Sequence, residues 1–474
     1  MPPLVALALW AVLFVALLCF DPARENKVSP WLWVPVLWMF ILATRLPSQW
    51  FGSGVTISIR ANEEGNAFDR IVDVGFILAG VVILRSRSLP LRSFFERNRA
   101  LIVYLAFALA SVLWSDYSFV ALKRWIRDSC NILMVLVVLS EAHVTEAVRV
   151  VYRRLNYLLI PLSILLVKYF PAIGKSYTYW NGAAMWVGPT TGKNLLGLVA
   201  LLSTLFFLDD SLKRWPERKK RRGKRIIFVN VSFLVMSLWL LRLASSTTCL
   251  VICVLGALVI VGAHARISRR NPALLKVLVP SSFLLYVLLA YGLDMNGQMA
   301  GAIGKDPTLT DRTLIWNYLL GLHTNPLLGT GYESFWMGDR LRKFWEESGQ
   351  GSINEAHNGF LEVYLNLGLV GLALLTGVIV SSYRKICRRL NSDPKGASLD
   401  LAFWITMLFF SATEAGFRSG LMWIVFLLGA VVVPERIRNR ARSTKNMTLP
   451  ISDEPLASLR LEATPARSAT WIER

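Results

Sequence analysis

Apolar residues in this chain fall in blocks of roughly 15–23, the length of helix that crosses a hydrocarbon core of about 30 Å. The blocks recur from Leu4 to Val433. Soluble domains seldom sustain 54% hydrophobic residues and a mean hydropathy of +0.47 over 474 positions. The alternating ten-residue segments of a β-barrel are absent. The pattern predicts an all-α polytopic membrane protein. Spans are expected near Leu4–Phe20, Trp31–Leu46, Arg70–Leu84, Ala100–Trp114, Asn131–Leu139, Asn156–Phe170, Lys193–Leu208, Ile226–Leu243, Thr248–His264, Leu275–Leu293, Gly359–Tyr383, Leu401–Phe410 and Leu421–Val433. That makes about thirteen, or twelve if one is interfacial. Several of the 17 Trp, among them Trp31, Trp114 and Trp186, lie near span ends, where one ring edge is apolar and the other can hydrogen-bond.

The basic segments alternate. Arg85 to Arg99, Arg149 to Arg154, Lys213 to Arg225, Arg266 to Arg270, Arg384 to Arg389 and Arg436 to Arg442 follow every second span, so these loops are read as cytoplasmic. The net charge of +21 is accounted for by such loops and their anionic lipid heads, not by nucleic acid. The segment Asp294–Ala356 then lies outside. It carries five positive and eight negative side chains, net −3. Amphipathic helices are expected over Arg312–Leu322, capped by Thr310 or Asp311, and over Phe335–Glu347, with Gly329, Gly331, Gly349 and Gly351 at turns. The chain therefore divides into N-terminal spans (1–293), an external loop (294–358), C-terminal spans (359–434) and a basic, disordered cytoplasmic tail (435–474).

The first apolar run has no Lys or Arg before it and no small-x-small cleavage site after it, so it reads as a retained span. The five Cys imply no disulfide framework; Cys249 and Cys253 share a helix face and read as small packing residues.

Candidate chemistry gathers at the external face. His357 precedes the span from Gly359. A helix N-terminus disfavours imidazolium, so a neutral imidazole able to take a proton from a sugar hydroxyl is expected there. Arg312 opens an amphipathic helix, and a guanidinium at the bilayer surface can hold a diphosphate in a bidentate way. Lys193 and Asn194 follow the Gly188–Gly192 turn at a span mouth, a suitable place for a phosphate contact. Arg242 ends another span beside Ser245, Ser246, Thr247 and Thr248. The segment Asp116–Asp128, with Lys123, Arg124 and Arg127, reads as an interfacial amphipathic helix. Trp316, Tyr332, Trp336 and Trp345 are available to stack on sugar rings. There is no Walker lysine motif, no His-Glu-x-x-His and no paired Asp at metal spacing, so neither a cofactor nor a metal is expected.

These motifs resemble the O-antigen ligase and polymerase family of bacterial envelope proteins. The likeness rests on Asp311-Arg312-Thr313 with Trp316, on Asn325-Pro326-Leu327-Leu328-Gly329-x-Gly331, and on Ala356-His357-Asn358-Gly359 running into Tyr364-Leu365-Asn366-Leu367-Gly368. Gly192-Lys193-Asn194 and Trp114-Ser115-Asp116 are similar to earlier elements of that family, and the Asn-Leu-Gly-Leu ending looks most like its exopolysaccharide-polymerase branch. The resemblance implies a GT-C-like glycosyltransferase of the bacterial inner membrane, working at the periplasmic face on undecaprenyl-diphosphate-linked glycans without nucleotide sugar or metal. It makes Arg312 the diphosphate ligand and His357 the catalytic base, with Asn358 orienting the base or a sugar. Thr247 stands where the family often has a second basic residue, so Arg242, Lys193 or Arg127 would have to serve instead. The acceptor is another lipid-linked repeat for a polymerase, or lipid A core for a ligase. Membrane lipids and other polysaccharide-assembly proteins are the further expected partners. A lipid-linked glycan transporter and a non-catalytic assembly subunit are the rival readings.

Overall fold

The computed structural model describes residues 1–21, 28–51, 65–87, 89, 91–177, 182–292, 312–322, 324–348 and 353–433. The segment 293–311 with the expected caps Thr310 and Asp311, the turn glycines Gly349 and Gly351, and the tail beyond 433 lie outside the described residues. In a hydrocarbon layer the backbone must satisfy its own hydrogen bonds, and long apolar blocks do so as helices. The principal helices are α1 (Pro3–Cys19), α2 (Trp33–Ala43), α3 (Ala67–Arg85), α4 (Arg99–Ala110), α5 (Ser118–Leu139), α6 (Val144–Tyr169), α7 (Lys193–Arg214), α8 (Arg221–Leu243), α9 (Thr247–His264), α10 (Ala273–Val287), α11 (Arg312–Gly321), α12 (Gly338–Ser348), α13 (Gly359–Ser392), α14 (Pro394–Ser411) and α15 (Leu421–Ala430). Each expected span falls on one of them, and α11 and α12 are the two amphipathic helices of the intervening segment. A small antiparallel hairpin, β1 (Lys175–Tyr177) and β2 (Ala184–Trp186), pairs Lys175 with Trp186.

The protein is an all-α polytopic membrane protein. Among the described residues, α6, α7, α8, α9, α10 and α13 are long and apolar enough to cross a membrane. A seventh crossing is added if Leu91–Arg97 and Arg99–Trp114, bent by 93°, form one span. Helices α1, α2 and α15 are apolar but shorter. Thirteen apolar blocks thus yield fewer lone spans than their number, because α3 and α5 carry charges along their length. Most of α6 and α7 is buried by neighbours, while α8 and α10 leave most of their surface to the surroundings.

Two sequence expectations change here. The interfacial helix expected over Asp116–Asp128 and the span expected from Asn131 are one continuous helix, α5. Two of its cations have protein partners: Arg127 faces Asp73 at 3.6 Å, and Arg124 donates to the Glu333 carbonyl at 2.5 Å. Arg149, Arg153 and Arg154 do not lie in a loop facing lipid heads but inside α6. Arg153 is fully buried between Asp21 and Asp210, at 3.3 Å from each, and Arg149 pairs with Asp209 and Asp210. A charge taken out of water needs such partners. Asp21, Asp209 and Asp210 therefore knit the end of α1 to α6 and α7.

Helix α13 is broken at Gly368, which has φ +65° and ψ −166°. The break leaves backbone groups unpaired, and the loop Pro326–Gly331 fills them. Thr330 and Gly331 donate to the carbonyls of Leu365 and Asn366 (3.1 and 2.8 Å), while Leu369 and Val370 donate back to Pro326 and Leu327 (2.9 and 3.2 Å). The approach is close enough to demand glycine on both sides. A Cβ on Gly368 would stand 2.2 Å from the Leu327 carbonyl carbon, and one on Gly329 would stand 2.4 Å from that of Asn366. Trp114 and Ser115 fasten the same loop, through the Leu328 carbonyl and the Ser334 hydroxyl. Beyond it, Ile315, Leu319, Phe335, Trp336, Leu341, Phe344, Ala356 and Leu365 form a separate apolar core that unites α11, α12 and the first turns of α13.

Candidate functional site

The first piece of α13 sets His357 in place. Asn358 is its N-cap, with the side-chain oxygen accepting from the backbone of Phe360 (3.0 Å) and Leu361 (3.1 Å). That satisfies donors the helix start leaves open. His357 itself has φ +49°, a left-handed conformation costly for a residue with a Cβ. Its neighbours hold it there: the Trp316 indole donates to the Ala356 carbonyl at 2.7 Å, and the Ala356 amide donates to the Glu362 carboxylate. Trp336 donates to the same carboxylate.

Three of the sequence-derived candidates converge on one carboxylate. Glu414, in the turn between α14 and α15, accepts from Arg312 Nη2 at 2.7 Å and from Asn194 Nδ2 at 2.8 Å, both through Oε1. Its Oε2 lies 3.2 Å from His357 Nδ1. Glu355 Oε1 stands 3.1 Å from the same nitrogen. Carboxylates only accept, so Nδ1 carries a proton. Burial opposes that charge, but the hydrogen bonds and the negative charge of Glu355 and Glu414 outweigh it and lift His357 to about 10. The neutral imidazole expected from the helix N-terminus is therefore replaced by an imidazolium: two adjacent carboxylates exceed the helix-end field.

The turn that carries Glu414 is itself clamped. Arg418 donates to Glu333 Oε2 from Nε (3.1 Å) and Nη2 (2.8 Å), and to the Asn354 carbonyl from Nη1 (3.1 Å). Glu333, like His357, is in a left-handed conformation, with φ +50°. One guanidinium so ties the Glu414 turn to the strand of chain that ends in Glu355 and His357.

Glu355, His357 and Glu414 present ligand atoms within 4.8 Å of one another, a set able to hold a divalent ion. Arg312 on the same Glu414 would compete with such an ion for its charge.

The remaining candidates sit elsewhere. Lys193 and Arg242 are exposed, and their side chains have no partner among the described residues. Arg127 is engaged with Asp73 at 3.6 Å. Trp336 is buried in the loop core and Trp345 donates to the Ile353 carbonyl at 2.8 Å. The Tyr332 hydroxyl donates to Asp128 at 2.8 Å.

A family model described as O-antigen ligase matches residues 231–376, a stretch that holds Arg242, Arg312, Trp316, His357 and Asn358. The exopolysaccharide production protein ExoQ of Rhizobium meliloti is 25% identical over 357 residues, which cover 71% of this chain and 77% of that protein. The chain is thus similar to O-antigen ligase/polymerase-like proteins. Asn194 and Glu414 lie outside the matched stretch, and it is their contacts that complete the cluster around Arg312 and His357. Glu414, Glu355 and Arg418 were not among the sequence candidates. Glu414 and Arg418 fall in Thr413–Gly420, a short polar gap between two apolar blocks, and carry no motif of their own. Glu355 had been counted only in the loop's net charge.

Proposed function

We propose that this protein transfers or polymerises undecaprenyl-diphosphate-linked oligosaccharides at the periplasmic face of the bacterial inner membrane, as an exopolysaccharide or O-antigen polymerase. The observation that carries the reading is the meeting of Arg312, His357 and Asn194 on Glu414, at one mouth of the helical assembly. Similarity to an O-antigen ligase family model and to an exopolysaccharide production protein supports it.

In this reading the donor diphosphate binds Arg312 alongside Glu414, through guanidinium nitrogens other than the Nη2 that donates to Glu414. The guanidinium matches two phosphate oxygens at once. The His357 imidazolium, with Nε2 unengaged among the described residues, adds a second positive group where charge grows on the leaving diphosphate. Preset charges of this kind act without reorganisation and contribute strongly to catalysis. Lys193 and Arg242, both exposed cations, guide the anionic headgroup towards the cluster. The reaction needs no nucleotide sugar, since the energy lies in the donor's own glycosyl–diphosphate bond.

The acceptor decides between polymerase and ligase. Deleting the gene and separating envelope and secreted glycans by size tests this directly. Single repeats in place of long chains are expected. Intact chains stranded on the carrier lipid would instead point to a ligase acting on lipid A core, and an unchanged glycan pattern would refute the proposal.

A further inference from the structure

We propose that the Glu355 carboxylate takes the proton from the attacking acceptor hydroxyl, and that His357 serves as a fixed cation beside it. This rests on the transferase reading above and assigns a group that the family resemblance does not.

The argument is one of free lone pairs. His357 Nδ1 already bears a proton shared between Glu355 Oε1 (3.1 Å) and Glu414 Oε2 (3.2 Å). A ring held between two carboxylates stays charged, with its other nitrogen protonated too, and a charged ring has no lone pair to accept a proton. Glu414 is spent as well. Both oxygens are occupied, by Arg312 and Asn194 on one side and His357 on the other, and its side chain is only 9% exposed. Glu362 accepts from Trp336 and the Ala356 amide, and Glu333 from Arg418.

Glu355 differs from all three. Its side chain is 33% exposed, and its one ion-pair or hydrogen-bond partner among the described residues is His357. That contact uses Oε1 and leaves Oε2 with its lone pairs. The groups that act on it are His357 beside it, Arg418 from the turn before α15 and Arg312 from α11, all positive. Burial favours the neutral acid, but the bond to His357 and these charges hold the carboxyl below its ordinary value, so it is ionised at neutral pH.

The step balances without any further reagent. The acceptor oxygen forms a bond to the anomeric carbon, and the bond from that carbon to the diphosphate oxygen breaks. Its electron pair leaves on the diphosphate, whose charge is met by Arg312 and His357. The hydroxyl proton passes to Glu355, which later loses it to water.

The test uses the full chain in detergent with undecaprenyl-diphosphate-linked oligosaccharide extracted from cells that lack the protein. Two readouts apply. For the unaltered protein, transfer should be flat between about pH 6 and about pH 9 and fall only as the carboxylate range is entered. A rate that climbs roughly tenfold per pH unit towards 10 would show that His357 must lose its proton to act, and would overturn the assignment. Second, Glu355→Gln should lower the rate by about 10²–10⁴-fold, the usual span for a lost general base. Glu355→Asp should recover part of it, and binding of undecaprenyl diphosphate alone should change less than threefold in both, at about one RT unit. Glu355→Gln at near-normal rate overturns this assignment and leaves the transferase reading standing. An unaltered protein that transfers nothing overturns both.

Discussion

Arg312 and His357 are bound to opposite oxygens of a single carboxylate, that of Glu414, at 2.7 and 3.2 Å. The three come from α11, the start of α13 and the turn after α14, so the pairing also joins the loop to the helices behind it. Removing Glu414 takes the carboxylate from Arg312 and leaves His357 with Glu355 alone, in a largely buried place. Breaking such a contact by deleting one partner costs about 3–5 kcal/mol. Glu414→Ala should accordingly lower the melting temperature and reduce glycan transfer by more than tenfold. Glu414→Gln, which still accepts from Arg312 and Asn194, should lose less. Equal loss in the two variants would mean that the hydrogen bonds add nothing beyond the charge, and wild-type behaviour of Glu414→Gln would mean that the negative charge is not what matters.

His357 titrates near 10 in the folded chain, above the ordinary value of about 6.5. A raised value means that the bound proton stabilises the fold. That contribution is complete below about pH 6.5 and is lost as pH rises through 10. Melting of the unaltered protein and of His357→Gln should therefore differ most at the acid end, and the gap should close with rising pH. A gap that widens instead would contradict the two-carboxylate environment.

Gly368→Ala should behave as a folding defect. The alanine would need the same positive φ, at a cost of about 1–3 kcal/mol, and its Cβ would fall 2.2 Å from the Leu327 backbone. Lower yield and a lower melting temperature are expected, with Gly377→Ala, where a Cβ meets nothing within 4 Å, as the control. Matching stability in the two variants would count against the loop filling the break.

Arg418→Ala should free the Glu414 turn from Glu333 and Asn354. Arg418→Lys keeps the charge but cannot make three bonds to two acceptors, Glu333 and Asn354, from one planar group. Both should insert normally, with transfer reduced more in the alanine variant and the donor's KM changed more than its kcat in the lysine variant. Wild-type kinetics in Arg418→Ala would show that the clamp is dispensable.

The apolar blocks were enough to locate a helix at each expected span, because burial in hydrocarbon leaves the backbone little choice, but not to show that Asp116–Asp128 and the span from Asn131 are one helix. Arg312, His357 and Asn194 were legible as chemistry because charged or amide groups at the mouths of spans are rarely idle. Glu414 was not, since a lone acid in a short gap has no periodicity to betray it, and its meaning appears only when distant segments meet. The neutral imidazole expected for His357 fails because two carboxylates outweigh the helix-end field: Glu355, two residues away, and Glu414, supplied by another part of the chain. Arg149, Arg153 and Arg154 looked like loop cations because their partners, Asp21, Asp209 and Asp210, are remote in sequence.

The central claim is that Arg312 and the His357–Glu414 pair act on a lipid diphosphate to join glycans. The most direct measurement reconstitutes the full chain in vesicles with undecaprenyl-diphosphate-linked oligosaccharide and follows glycan length and free undecaprenyl diphosphate together. The account predicts longer glycans with matching release of the carrier, and neither from Arg312→Ala. Undiminished elongation by Arg312→Ala, or carrier that changes leaflet with its glycan intact, would contradict it.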